Sequence, residues 1–183
     1  ERELSFAVVG HGYGVPGTAT GNLYGPARQW LETHRKSFDF SVFTGDLVNL
    51  SKHFTSLAAT LESDGFHPHF VLGNHDFSPA TVSYFKQRYG ETFYSFDKDG
   101  YRFIVLDTTS KDGGFNDAQI PFLQKAIVSS PSKTIFVFQH HVLWLKDTDE
   151  ESYVRTNRDD PGTNTFNAQV LPLLQAHKDK TFY

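Results

Sequence analysis

Three apolar runs in this chain each stop at a short polar cluster rich in oxygen and imidazole donors. Asp39 to Thr44 leads into Gly45-Asp46-Leu47-Val48-Asn49, Phe70-Val71-Leu72 into Gly73-Asn74-His75-Asp76, and Ile135-Phe136-Val137-Phe138 into Gln139-His140-His141. Short apolar runs bounded by turn residues read as buried strands. A strand end fixes the backbone while the side chains just beyond it face a cleft, which suits metal ligands. If the strands are neighbours in a sheet, Asp46, Asn74 and His140 are delivered toward one place, and the reading is a metal site.

The segments between these runs confine the fold to the α/β class, because strand-like and helix-like patterns alternate along the chain. Leu4 to Val9 gives a first strand, followed by a loop rich in glycine and a helix opening at Pro26, a residue suited to the first helical position. Ser51 is the expected N-cap of a helix whose Phe54, Leu57, Ala58 and Leu61 form one stripe. Ser78-Pro79 opens another with Val82, Phe85 and Tyr89 at helical spacing. Thr92 to Asp107 breaks the rhythm with a hairpin around Lys98-Asp99-Gly100, so an antiparallel edge and a mixed sheet are expected. Asp117 is the expected cap of a helix with Ile120, Leu123 and Ile127 inward, and the charged stretch 146–162 reads as a loop over the site's mouth.

Composition removes several function classes. At 183 residues the chain is expected to be one domain with a single core, rich in aromatics through 18 Phe and 8 Tyr. A net charge of −4 without a basic run disfavours general binding to nucleic acid or to anionic membranes. With 0 Cys there is no thiolate metal site and no thiol catalysis. No apolar stretch reaches the length of a membrane span. The start at Glu1 is compatible with a removed leader or tag, so a cytoplasmic chain and a processed secreted one both fit, and oligomeric state is open. The loop Gly10-His11-Gly12-Tyr13-Gly14-Val15 misses the dinucleotide fingerprint, having valine at the last glycine, and no GK(S/T) follows.

Each candidate residue has an ordinary structural alternative. Asp46 could cap the next helix; as a ligand, its carboxylate could bridge two cations. Asn74 could be a turn residue tolerant of left-handed geometry, or a neutral oxygen ligand. His75 and Asp76 could be a surface ion pair, or a carboxylate that orients an imidazole acting as proton donor to a leaving alkoxide. His141 should face away from its neighbour His140 and serve as a substrate contact or a support to the ligands. Arg155 and Arg158 could clamp a substrate phosphate, or be solvated loop charges. His34, His53, His67, His69 and His177 have no motif around them.

The order of these blocks resembles the calcineurin-like metallophosphoesterase family, whose pattern is D-x-H, GDxx(D/N), GNH(D/E), a strand ending in H, then GHxH. Gly45 to Asn49, Gly73 to Asp76 and His140 match the middle blocks, and Phe93 to Thr108 is similar to the family's YSF…G…FIVLD hairpin. Two departures stand out. His11 and Tyr13 occupy the aspartate and histidine slots of the first block, and the chain as given ends at Tyr183, where the strand before GHxH would open, so the single domain 1–183 is read as lacking that segment.

The resemblance implies a four-layered fold with two mixed β-sheets packed face to face and flanked by helices. It implies divalent Mn, Fe or Zn, one or two per chain, held by Asp46, Asn74, His140, His11 and Tyr13, with Asn49 near the substrate. The implied reaction is hydrolysis of a phosphomonoester or phosphodiester, small or carried on a macromolecule, by metal-activated water. Loss of hydrolysis, leaving a phosphate-ester binding or scaffold protein, is the alternative. A nuclease is disfavoured by the acidic balance.

Overall fold

The computed structural model describes residues 3–13, 21–109, 114–131, 134–143 and 164–183. Arg155, Arg158 and the expected loop 146–162 lie outside the described residues. The chain divides into two compact units, Glu1–Thr92 and Phe93–Tyr183.

The first unit is built on a parallel sheet of β1 (Phe6–Val9), β2 (Phe40–Thr44) and β3 (Pro68–Val71), in that order. Phe40, Val42 and Phe43 are each at most 2% exposed, because the middle strand is covered on both faces. Ser41 is tolerated there because its hydroxyl donates to Phe66 O at 2.9 Å. Since all three strands run the same way, their C-terminal ends emerge at one edge, with Val9 paired to Phe43 and Thr44 to Val71. The loops carrying His11, Asp46 and Asn74 therefore leave the sheet side by side.

Among its described residues this unit has three α-helices, α1 (Gly25–His34), α2 (Phe54–Ser63) and α3 (Pro79–Tyr89). The expected stripe on α2 is the buried one, with Phe54, Leu57, Ala58 and Leu61 at 3% exposure or less. Each of the larger side chains contributes about 1.5–3 kcal/mol relative to exposure. Ser51 does not cap α2; Ser51–His53 forms a 3₁₀ turn that runs into it without a side-chain cap. Ser78 is a cap as expected, its hydroxyl accepting Thr81 N–H at 3.1 Å with Pro79 following.

The second unit has a four-stranded mixed sheet, β4 (Tyr94–Lys98), β5 (Tyr101–Val105), β6 (Thr134–Phe138) and β7 (Thr181–Phe182). The hairpin β4–β5 is antiparallel, and its two-residue turn puts Asp99 at φ 49° and Gly100 at φ 83°, the doubly left-handed turn that an Asp-Gly pair favours. The other two pairings are parallel. Helix α4 (Gln119–Val128) packs Leu123, Ala126 and Ile127 into a cluster with Ile104, Ile135 and Phe166. Its N-terminus is tied by Asn116, whose side-chain oxygen accepts Ala118 N–H at 3.0 Å, in place of the expected Asp117. A π-helical turn (Phe166–Val170) continues into α5 (Leu171–Ala176).

The α/β class with two sheets and flanking helices is thus the fold of the chain; among the described residues, strand mixing is confined to the second sheet. No helix among the described residues is long and apolar enough to cross a membrane.

Candidate functional site

In the first unit the two ligand-type loops are locked together through their backbones. Gly73 lies so close to the Gly45-Asp46 loop that a Cβ built on it would stand 2.1 Å from Asp46 N and 2.3 Å from Asp46 Oδ1. Only glycine permits that approach. Asp46 itself has φ 51°, a left-handed conformation uncommon for a non-glycine residue, and His11 in the neighbouring loop has φ 52°. Such backbone clusters at functional sites, where surrounding contacts hold it in place. Here they are His75 N–H to Asp46 Oδ1 at 3.0 Å, His11 N–H to Gly45 O at 3.2 Å and Tyr13 N–H to Asp46 O at 3.3 Å.

The groups collected around Asp46 in this unit are His11, Tyr13 and His75. The Asp46 carboxylate is 3% exposed and its Oδ2 lies 3.4 Å from His11 Nδ1. Tyr13 is 4% exposed, and its ring packs 4.3 Å from that of His11 and 5.3 Å from that of His75. Burial first, and then the Asp46 and Asp76 carboxylates, push the Tyr13 phenol above its ordinary range. Asn74 and His75 are exposed at the surface of the same turn.

Asp76 requires a correction. It does not pair with the His75 imidazole. Its side chain is fully buried, and its two oxygens accept Val48 N–H at 3.0 Å and Gly73 N–H at 2.9 Å. Asp76 therefore clamps the 45–49 loop to the 73–76 turn, and burial, opposed by these amide bonds, pushes its carboxyl up to about 7. The partner of His75 is a backbone group, with Nδ1 3.2 Å from Asn49 O. A carbonyl can only accept, so this contact requires the hydrogen on Nδ1 and leaves Nε2 outside it. Asn49 meets His75 through its main-chain carbonyl.

In the second unit, β5 and β6 end together, with Val105 paired to Phe138. The half-buried His140 and the buried His141 follow β6, their rings 4.8 Å apart and 75° to each other. Sequence reasoning missed the side-chain network beside them. Thr108 Oγ1 lies 2.7 Å from His141 Nδ1, and Gln119 brackets the Asp107 backbone, accepting its N–H at 2.8 Å and donating to its carbonyl at 2.7 Å. The Asp-Thr-Thr run after a strand was the available signal, since Asp107 Oδ1 accepts from both Thr109 N and Thr109 Oγ1 in a local turn.

The donors present suit a hard or borderline divalent ion, being carboxylate and amide oxygens and imidazole nitrogen. Among the described residues no three His, Cys, Asp or Glu side chains come together as a ligand group. Ligation in the first unit would therefore draw on Asn74 or Tyr13 beside Asp46 and His11.

Comparison with known proteins agrees with this chemistry. The calcineurin-like phosphoesterase family profile matches residues 19–176. A serine/threonine-protein phosphatase of Danio rerio, CPPED1, is 31% identical over 138 residues, 61% of this chain and 43% of that protein. The chain thus spans less than half the length of this curated relative. Two solved structures share the fold. A dimetal phosphatase from Danio rerio superposes with a TM-score of 0.66 at 13% identity, over 98% of this chain and 80% of that one. The purple acid phosphatase PPD1 from yellow lupin (Lupinus luteus) seeds gives 0.64 at 16% identity, over 96% and 36%.

Proposed function

The chain belongs to the calcineurin-like phosphoesterase family, and from that membership we propose that it hydrolyses phosphomonoesters or phosphodiesters with the aid of a divalent Mn, Fe or Zn ion. The observation that carries this reading is the contact at Gly73, which joins the Asp46 loop to the Asn74-His75 turn with no room for a side chain between them. A platform held this tightly by backbone is what orienting a reacting group within a fraction of an ångström requires.

Asp46, Asn74 and His11 in the first unit are the proposed ligands, with His140 assigned on the sequence pattern. A bound divalent ion supplies Lewis acidity toward water and toward the phosphoryl oxygens. His75 gives the leaving alkoxide a proton from Nε2, and the Asn49 carbonyl holds the ring for that transfer by accepting from Nδ1. Asp76 positions both loops without touching the reacting atoms. Tyr13 acts as a neutral phenol packed between two imidazoles, so the first block is a weak metal position. The name of the zebrafish relative makes phosphoserine and phosphothreonine peptides the first substrates to test.

A second reading, a phosphate-ester binder that has lost hydrolysis, is favoured by His11 and Tyr13 alone. The test separating the two is metal analysis joined to turnover. The hydrolase reading expects at least one ion per chain after exposure to manganese or zinc, with loss in Asp46→Asn. It also expects His75→Ala to slow alkyl phosphates about 100- to 10,000-fold while sparing esters of activated phenols. Stoichiometric metal without turnover of any ester supports the binder; less than stoichiometric metal removes both.

A further inference from the structure

Thr108 has no solvent exposure, and its hydroxyl meets His141 twice. Its oxygen is 3.2 Å from the His141 backbone nitrogen and 2.7 Å from His141 Nδ1. An amide N–H can only donate, so Thr108 Oγ1 accepts that bond. The one remaining hydrogen belongs to the hydroxyl, and in a buried site it needs an acceptor. His141 Nδ1 is the acceptor the geometry supplies. The opposite assignment, with Nδ1–H donating, would satisfy the oxygen twice and strand the hydroxyl hydrogen. A neutral ring that accepts at Nδ1 carries its own hydrogen at Nε2.

The placement of Thr108 is fixed from both sides. Leu106 N–H still donates to Phe138 O at 2.9 Å, which extends the β5–β6 pairing to the residue before Asp107. The two bonds between Gln119 and the Asp107 backbone then tie this turn to the start of α4. A hydroxyl held on such a frame selects one tautomer, where a mobile one would follow the ring.

We propose that Thr108 is a positioning residue that locks His141 as the Nε2–H tautomer, which removes His141 from metal ligation and leaves that role to its neighbour His140. A ring whose Nδ1 lone pair is engaged and whose Nε2 is protonated has no donor electrons for a cation. The rings of the two histidines stand 75° apart, which suits separate tasks. The tautomer half of the proposal stands on this unit's geometry alone; the ligand half rests on the reading of His140 as a metal ligand.

The test is long-range proton–nitrogen NMR on the ¹⁵N-labelled chain, metal-free, above the pH at which imidazoles hold a second proton. The His141 signals are identified by their absence in His141→Ala. The expected result is a pure Nε2–H pattern for His141, kept in Thr108→Ser and replaced by a mixture of tautomers in Thr108→Val. If the valine variant does not fold, the parent and serine spectra decide. An Nδ1–H or mixed pattern in the parent overturns the proposal, as does an unchanged pattern in folded Thr108→Val. Zinc is then titrated in, and His140 is expected to shift while His141 keeps its pattern. A shift of His141 instead overturns the division of labour. A shift of neither removes the metal reading of His140, and the ligand half with it, while the tautomer result stands.

Discussion

The two units hold their donor residues by different means. In the first, the carboxylates of Asp46 and Asp76 are gripped by backbone amides, and the loops meet at a glycine where no side chain fits. In the second, the Gln119 side chain grips the Asp107 backbone and the Thr108 side chain grips His141. Backbone packing of the first kind tolerates no substitution at the contact, because a Cβ there has no rotamer by which to escape. Side-chain packing of the second kind can lose one hydrogen bond and keep its shape. The first unit should therefore fail abruptly on mutation and the second by degrees.

The largest effect is expected from Gly73→Ala. The added Cβ meets Asp46 N and Oδ1 inside any permitted contact, and the neighbour it strikes is main chain, so the loops must separate. A loss of roughly 3 kcal/mol or more is expected, at the upper end for overpacking, together with loss of metal binding. Gly12 is the matched control, because its Cβ would first meet the end of the Leu23 side chain at 3.0 Å, which can move. Urea denaturation of both variants checks the contrast, and equal losses would break the distinction between backbone and side-chain packing.

Asp76→Ala comes next. It leaves Val48 N–H and Gly73 N–H buried without partners, at about 1–3 kcal/mol for each unsatisfied group. Because Asp76 does not touch the His75 ring, the expected pattern is lower stability and weaker metal binding without a change in leaving-group sensitivity. A selective loss on alkyl esters, like that expected for His75→Ala, would return Asp76 to the role of imidazole partner. Gln119→Leu also removes two bonds, at about 1–3 kcal/mol for each group left unpaired, and is placed lower because the turn of the second unit can shift to recover part of that loss. Hydrogen exchange at Asp107 and Leu106 amides reads that loss locally, and metal content reads whether it reaches the ligands.

The same contrast explains what could be read from the chain. Gly45-Asp46 and Gly73-Asn74-His75-Asp76 were legible because backbone contacts admit few residue types, so the physical demand is written in the letters. The α2 stripe and the Asp99-Gly100 turn were legible for a similar reason, one through helical spacing and the other through left-handed backbone. The direction of the Asp76 side chain was not. A carboxylate next to a histidine offers both a ring and nearby amides as partners, and depth of burial decides between them. Thr108 and His141 are 33 positions apart and Asp107 and Gln119 are 12, with nothing periodic to connect either pair. The caps misassigned to Ser51 and Asp117 lost to a 3₁₀ turn and to Asn116, choices made within one turn of backbone.

The smallest effect is expected at Tyr13, and it sharpens the comparison because here the first unit behaves like the second. Tyr13 meets His11 and His75 through tilted ring contacts, which phenylalanine reproduces. Burial and two carboxylates hold its phenol above the ordinary range, so without a cation it is neutral and a poor ligand. Only an ion acidic enough to expel the phenolic proton would change that. Tyr13→Phe keeps the ring packing and removes one hydroxyl, so it is expected to cost about 1 kcal/mol or less and to leave metal stoichiometry as it was. The iron-loaded parent protein should show no visible charge-transfer band. By the same reasoning, His11→Asp with Tyr13→His supplies the carboxylate and the imidazole of the family's first block, and should raise occupancy toward two ions per chain with a faster phosphoesterase rate. A visible band in the parent that vanishes in Tyr13→Phe would overturn this account, because it would mean that a ferric ion takes the phenolate and that the departure at Tyr13 is an adaptation of the metal site.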